Sequence, residues 1–236
     1  MKTFCQILFI IIGLMTTHSS VLAQESAERS LDNFEKLRIT GKIDAKLVPG
    51  EENKIYLESE DDVELSKIST EIKKGKLTVK LKSRLFKSPS AVARITYTSL
   101  KSIEALADAN IDFAEPLKQD TLNLEASSGA KITLESETKM LTIKNFQGGQ
   151  TLIKGKTSKL NAFVNTGGIL SATDLECEEA NMRLNTAGKA EITVKKKLTA
   201  KVNTKADLSY FGKPEIKDIS SSLGGSISAW DEEEED

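Results

Sequence analysis

The chain has 236 residues, a formal charge of −2, 39% hydrophobic and only 5% aromatic residues, two cysteines and one histidine. That histidine, His18, lies in an N-terminal segment that reads as removable. The mature chain then has no imidazole and one thiol, Cys177, which excludes Ser-His-Asp and Cys-His nucleophile systems, His-ligated zinc and an internal disulfide.

Residues 1–23 have the make-up of a secretory signal peptide. Lys2 supplies the positive start, Phe4 to Met15 the apolar stretch, and Val21-Leu22-Ala23 the short side chains before a cut ahead of Gln24. The apolar run is shorter than the roughly 20 residues a membrane span needs, so an uncleaved anchor is the weaker reading and no transmembrane span is expected after cleavage. No cysteine follows the run, so lipoprotein-type cleavage is not indicated. An exported protein in the periplasm, at the cell surface or secreted is expected. Removing Lys2 leaves −3, and the six acids of 231–236 exceed that, so the body carries about +3 with scattered lysines. That pattern does not point to nucleic acid.

Residues 24–33 are polar and without period, and read as a flexible leader. From Phe34 the pattern turns to alternation: Leu37 and Ile39, then Ile43, Ala45 and Leu47, with a turn at Pro49-Gly50. Strands are predicted at Ile55–Leu57, Ile68–Ile72, Leu77–Leu81 and Ala91–Tyr97. A linker begins at Asp61-Asp62-Val63, and Leu85 to Ser90 reads as a loop. No window of the mature chain carries a helical apolar stripe, so the fold is expected to be all-β.

From Lys101 to Trp230 the chain repeats. Small residues recur at Ala109, Ala130, Gly149, Gly168, Gly188, Ala206 and Gly225, at intervals of 21, 19, 19, 20, 18 and 19. Two positions after them stand Ile111, Ile132, Thr151, Leu170, Ala190, Leu208 and Ile227. Six positions before them stand Ile103, Leu124, Ile143, Ala162, Met182, Ala200 and Ile219. Each unit reads as two short strands, joined between units by polar stretches such as 135–139, 154–159 and 195–197. An antiparallel meander or sandwich and a parallel β-helix both accommodate this. The helix is favoured because columns recur once per two strands, the interval hardly varies, and Asn-Gly or Asp-Gly hairpin signals are absent. In addition Asn165, Asn185 and Asn203 share one column, each followed by Thr, with Ser127 and Ser222 at either end; stacked amides can bond along such a ladder. About seven coils of roughly 19 residues are expected, stacked at about 4.8 Å. The small column is read as letting the backbone bend between faces. The less regular region 34–98 is expected to pair against the first coil, and Trp230 to close the last, ahead of an acidic tail at 231–236. Cys177 alternates with Leu175 and is read as buried.

Together these stretches resemble the DUF2807 family, the putative auto-transporter adhesin, head GIN domain. The resemblance rests on Phe34-Glu35-Lys36-Leu37-Arg38-Ile39-Thr40-Gly41, on Ser127-Ser128-Gly129-Ala130-Lys131-Ile132, on Tyr210-Phe211-Gly212-Lys213-Pro214 and on the closing 221–227. It covers 34–230 and implies a right-handed parallel β-helix, a single-stranded solenoid, on an exported protein. It supplies no catalytic residues. The Asn-Thr pairs at Asn165, Asn185 and Asn203 stand where many members carry Ser-Gly.

Three functions follow for weighing. The first is a non-enzymatic module that presents a β-helical face to a protein or glycan at the cell envelope. The second is a polysaccharide-active enzyme, for which Asp108, Asp112, Glu176, Glu178, Glu179 and Arg183 are the candidate acids and base. The third is a structural spacer or homo-oligomer, with Phe86, Tyr97, Phe113, Phe146 and Phe163 as candidate contact aromatics. The first is favoured; no catalytic, cofactor-binding or metal residue is expected, and no cofactor.

Overall fold

The computed structural model describes residues 26–59, 64–82 and 90–230. The expected signal peptide, the linker at 61–63, most of the Leu85–Ser90 loop with Phe86, and the acidic tail lie outside the described residues. The chain runs through β1 (Ser26–Ser30), β2 (Lys36–Thr40), β3 (Ile43–Pro49) and β4 (Lys54–Ser59), then a 3₁₀ turn at Leu65–Lys67. β5 (Ile68–Lys73), β6 (Lys76–Leu81), β7 (Ala91–Tyr97), β8 (Ser102–Leu106), β9 (Asn110–Phe113) and β10 (Leu117–Ser127) follow. Four long strands come next: β11 (Lys131–Phe146), β12 (Gln150–Asn165), β13 (Ile169–Asn185) and β14 (Lys189–Asn203). β15 (Asp207–Phe211), β16 (Ile216–Ser222) and β17 (Ser226–Trp230) end the described chain.

Every strand pairing within 102–230 is parallel, so the repeat winds as a β-solenoid of about seven turns rather than a meander. The register reproduces the sequence columns. Ile111, Ile132, Thr151, Leu170, Ala190, Leu208 and Ile227 are successive partners. So are Ile103, Leu124, Ile143, Ala162, Met182, Ala200 and Ile219. Alternation along most of β8–β15 sends one set of side chains into a continuous aliphatic interior. Each fully buried Leu or Ile there contributes about 1.5–3 kcal/mol. The polar member of the first column, Thr151, is accommodated because its hydroxyl donates to buried Asn145 Oδ1 at 2.8 Å, while Asn145 Nδ2 donates to the Ile169 carbonyl.

The polar stretches expected to be turns between units are instead the middles of the long strands. At 136–138, 155–157 and 175–177 the backbone stays paired in parallel with the neighbouring coil. Their charges point outward and pair across coils: Lys118–Glu137, Lys139–Asp120, Lys154–Glu135, Lys195–Glu176 and Lys196–Glu178.

The N-terminal part extends the stack out of chain order. β2 and β3 lie parallel to β8 and β9 on one side and to β6 and β7 on the other. A rung formed early is therefore enclosed by two formed later. β5 and β4 run antiparallel along β6 and β7, and β1 runs antiparallel along β4, covering that end. The leader expected over 24–33 thus contains an edge strand. Ala27 packs against the core and Arg29 Nη1 donates to Thr70 Oγ1 at 2.6 Å. Among the described residues no strand covers the opposite end. Ile216, Ile219, Leu223 and Trp230 are 55%, 41%, 77% and 57% exposed. Trp230 leans on Phe211 one coil back, ring centroids 6.0 Å apart, and does not close the coil.

Candidate functional site

The sharp edge of each coil is a four-residue turn, and the seven small residues occupy its last position. The amide of each donates to the carbonyl three residues back, as in Gly149 to Phe146 at 2.8 Å, Gly168 to Asn165 at 3.0 Å and Gly188 to Asn185 at 3.0 Å. The bend itself lies one and two positions earlier. Both central residues have positive φ: Ala107 and Asp108, Ser128 and Gly129, Gln147 and Gly148, Thr166 and Gly167, Thr186 and Ala187, Thr204 and Lys205, Leu223 and Gly224. That pairing belongs to the type I′ turn. The small column has a different cause. A Cβ built at Gly149 would meet the Ala126 carbonyl oxygen at 2.0 Å, and one at Gly168 the Asn145 oxygen at 2.4 Å. Close approach to the previous coil demands the small residue there.

A β-branched residue in the left-handed region is uncommon, yet Thr166, Thr186 and Thr204 sit at φ of 50°, 48° and 53°. Stacking compensates. The second central amide of one turn donates to the first central carbonyl of the next: Gly167 to Thr186 at 3.0 Å, Ala187 to Thr204 at 3.0 Å, Lys205 to Leu223 at 3.2 Å. The three threonines form an exposed file beside the Asn column. In that column Ser222 Oγ donates to Asn203 Oδ1 at 2.6 Å, and Asn203 Nδ2 to Asn185 Oδ1 at 3.1 Å. Asn165 turns to its own loop, where its Oδ1 accepts from the Thr166 amide at 2.8 Å. Ser127 sits beside Phe146 in register.

The face leading into these turns carries two outward columns. One runs Asn123, Thr142, Asn161, Asn181, Thr199 and Asp218; the other Glu125, Lys144, Phe163, Arg183, Lys201 and Ser220. Phe163 tilts against Phe146 at 5.5 Å between centroids. A shallow depression of about 170 Å³ lies here, bordered by Thr142, Lys144, Asn161, Phe163, Asn181 and Arg183. A larger hollow of about 340 Å³ lies at another corner, among Asp112, Phe113, Leu134, Leu152 and Lys154.

Of the candidate catalytic carboxylates only Glu176 and Glu178 come together, at an open hollow of about 250 Å³ that Glu137, Lys156 and Lys195 also border. Glu176 is exposed, and a hydrogen bond from Lys195, reinforced by the Lys195 and Lys156 charges, holds it below the usual carboxylate range. A glycosidic general acid needs the opposite shift. Glu178 pairs with Lys196, and Glu179 stands in register between Lys159 and Lys197. Asp108 lies in the first stacked turn, where its carboxylate occupies the space beside Gly129. Asp112 accepts from Asn110 Nδ2 at 3.2 Å. Arg183 belongs to the flat face. Among the described residues no group of three or more His, Cys, Asp or Glu is placed to hold a metal ion. Cys177 is buried, and burial pushes its thiol up to about 12. The Cys177 Sγ donates to the Thr193 carbonyl at 2.8 Å.

Sequence reasoning named Phe163 and Arg183 only separately, and missed Lys144, Asn161, Asn181 and Lys201. The signal was available: each flanks a member of the column six before the small residue, so the same alignment that found the core locates them.

The fold and this surface define a β-solenoid that presents register-matched outward columns. The chain belongs to the DUF2807 family, described as putative auto-transporter adhesin, head GIN domain, whose model matches residues 33–214. No curated protein matches it. Among solved structures it is similar to a putative adhesin from Bacteroides fragilis, with TM-score 0.78 and 14% identity over 88% of this chain and 97% of that one. It is also similar to a putative adhesin from Parabacteroides merdae, with TM-score 0.69 and 20% identity over 88% and 96%. A third is called a putative lipid binding protein, from Parabacteroides distasonis, with TM-score 0.66 and 17% identity over 88% and 96%. At these identities the likeness is one of fold. Proteins sharing it carry different names, so the fold does not name a ligand.

Proposed function

We propose that the chain is an exported, non-enzymatic, adhesin-like module that holds a solenoid face toward a partner at the cell envelope. The observation that carries this reading is the stack itself. Seven coils in parallel register fix outward side chains in files along the rod, a preorganised extended surface of the kind repeat proteins use for recognition. The family and the structures named adhesins support an envelope role. The lysine partners of Glu176 and Glu178 support a non-catalytic one.

Protease treatment of intact cells expressing the full chain, followed by capture of envelope fragments on the purified protein from Gln24 onward, tests both halves. Cleavage on intact cells and saturable capture are expected. Complete protection from protease together with no capture would overturn the reading.

A further inference from the structure

Along the middles of the long strands, opposite charges on adjacent coils meet. Lys118 with Glu137, Lys154 with Glu135, Lys195 with Glu176 and Lys196 with Glu178 all bridge neighbouring rungs. The flat face between Thr142 and Lys201 breaks that habit. Its two central columns across four rungs hold Lys144, Arg183 and Lys201 and no acid. None of the three cations has an ion-pair partner among the described residues. Between them sit the half-exposed ring of Phe163 and the half-exposed amides of Asn161 and Asn181, around the 170 Å³ depression.

We propose that this patch binds a short acidic oligosaccharide bearing carboxylates; the proposal rests on the envelope-recognition reading above. Each element matches a part of such a ligand. Side-chain amides offer a donor and an acceptor to vicinal hydroxyls. An aromatic face receives the apolar face of a sugar ring. Arg183 offers a planar fork to a carboxylate, and Lys144 and Lys201 offer point charges. Three rungs separate Lys144 from Lys201, about 14 Å at strand spacing, which is the reach of about three sugar units.

The borders argue for a short glycan over other polyanions. Glu125 precedes Lys144 in its column and Asp218 follows Thr199 in the other, while Glu179, two residues before Asn181, stands between Lys159 and Lys197. Acids at the two ends of the columns oppose a long nucleic acid or an anionic membrane plane and leave room for a short segment. Phe163 packs on Phe146 instead of projecting, so the patch lacks the protruding apolar anchor a lipid surface would take.

The test measures binding of galacturonate and glucuronate oligomers of three to four units to the full mature chain. The K144Q/R183Q/K201Q variant, the F163A variant, the neutral methyl esters of the oligomers, phosphatidylglycerol vesicles and single-stranded DNA serve as comparisons. Wild type is expected to bind an oligouronate at low salt and release it at high salt. The triple variant, with unchanged thermal unfolding, is expected to bind about tenfold or more weakly, since each exposed ionic contact contributes modestly. F163A and the methyl esters are expected to weaken binding as well. Absence of oligouronate binding, equal binding by wild type and triple variant, or a preference for vesicles or DNA would overturn the proposal. If the triple variant still captures envelope fragments as wild type does, the recognition reading stands and this patch is not its site. If wild type captures none and is fully protected from protease on intact cells, the recognition reading falls, and the patch falls with it only if oligouronate binding is absent as well.

Discussion

Gly149 and Gly167 occupy the last and the second central positions of successive turns, and a methyl group at each meets a different obstacle. At Gly149 it would lie 2.0 Å from the Ala126 carbonyl oxygen, a backbone atom of the neighbouring coil that cannot move without disturbing the ladder. At Gly167 nothing lies within 4 Å, and only the positive φ of 71° opposes it. The equivalent residues Ala187 and Lys205 already accept φ of 57° and 58°. G149A is therefore expected to lower stability by about 1–3 kcal/mol or more, in the manner of an overpacked site. G167A is expected to cost about 1 kcal/mol, the left-handed penalty alone. Denaturant unfolding of the two variants checks the order; a larger loss from G167A would mean that the turn, not the inter-coil approach, sets the column. The same contrast explains what the sequence disclosed at this scale. A spacing of small residues is visible in the sequence; the carbonyl each one faces, donated by a residue 23 positions earlier in the Gly149 case, is not.

Strands differ in how far their partners could be read. Within 102–230 each strand pairs with one about 19 residues away, so a column in the sequence is a column in space. β2 follows another rule. Its partners in β6 and β8 lie 40 and 66 residues ahead, and the chain visits β4 and β5 between them. No interval repeats there, so its intercalation was illegible although the alternation that made it a strand was plain. The candidate face was half legible for a related reason: outward positions carry no apolar pattern, and become visible only after the inward ones have fixed the register. The intercalated rung carries a polar staple. Glu104 on β8 accepts from Arg38 Nε on β2 at 2.5 Å and from Lys76 Nζ on β6 at 2.5 Å, so one carboxylate ties three rungs. Burial alone would raise its pKa, but the hydrogen bonds from Lys76 and Arg38, with their charges, bring it below the reference value of 4.5. A depressed folded-state pKa gives stability that is present above the unfolded value and lost as pH falls through the folded one. E104Q is expected to destabilise by about 1–3 kcal/mol at neutral pH, leaving two cations to share one neutral amide oxygen in place of a carboxylate. The gap between wild type and E104Q should then shrink as pH drops below 4.5. Unfolding curves from pH 7 to 3 read this directly, and a gap constant with pH would remove the ionised staple from the account.

The two ends of the rod differ in what shields them. At the N-terminal end β4, β5 and β1 lay antiparallel strands over β6 and β7, so the outermost full rung has neighbours on both sides. At the other end, among the described residues, β16 and β17 pair on one side only, with β14 and β15, and every residue of β16 is exposed. In a stack where each rung contacts only its neighbours, an interior coil is held by two interfaces and a terminal one by a single interface. Opening of the last coil breaks one interface and releases little apolar surface, because Ile216, Ile219 and Leu223 are already in water. Hydrogen exchange is therefore expected to run as a gradient. Amides of β16 and β17 should exchange about a hundredfold or more faster than those of β12, with β6 and β7 protected nearly as well as β12. Peptide-resolved exchange at low protein concentration measures this. Protection of β16 and β17 equal to that of β12 would mean that something seals the last coil in solution, and the exposed Ile216, Ile219, Leu223 and Trp230 would then belong to an interface rather than to a fraying end.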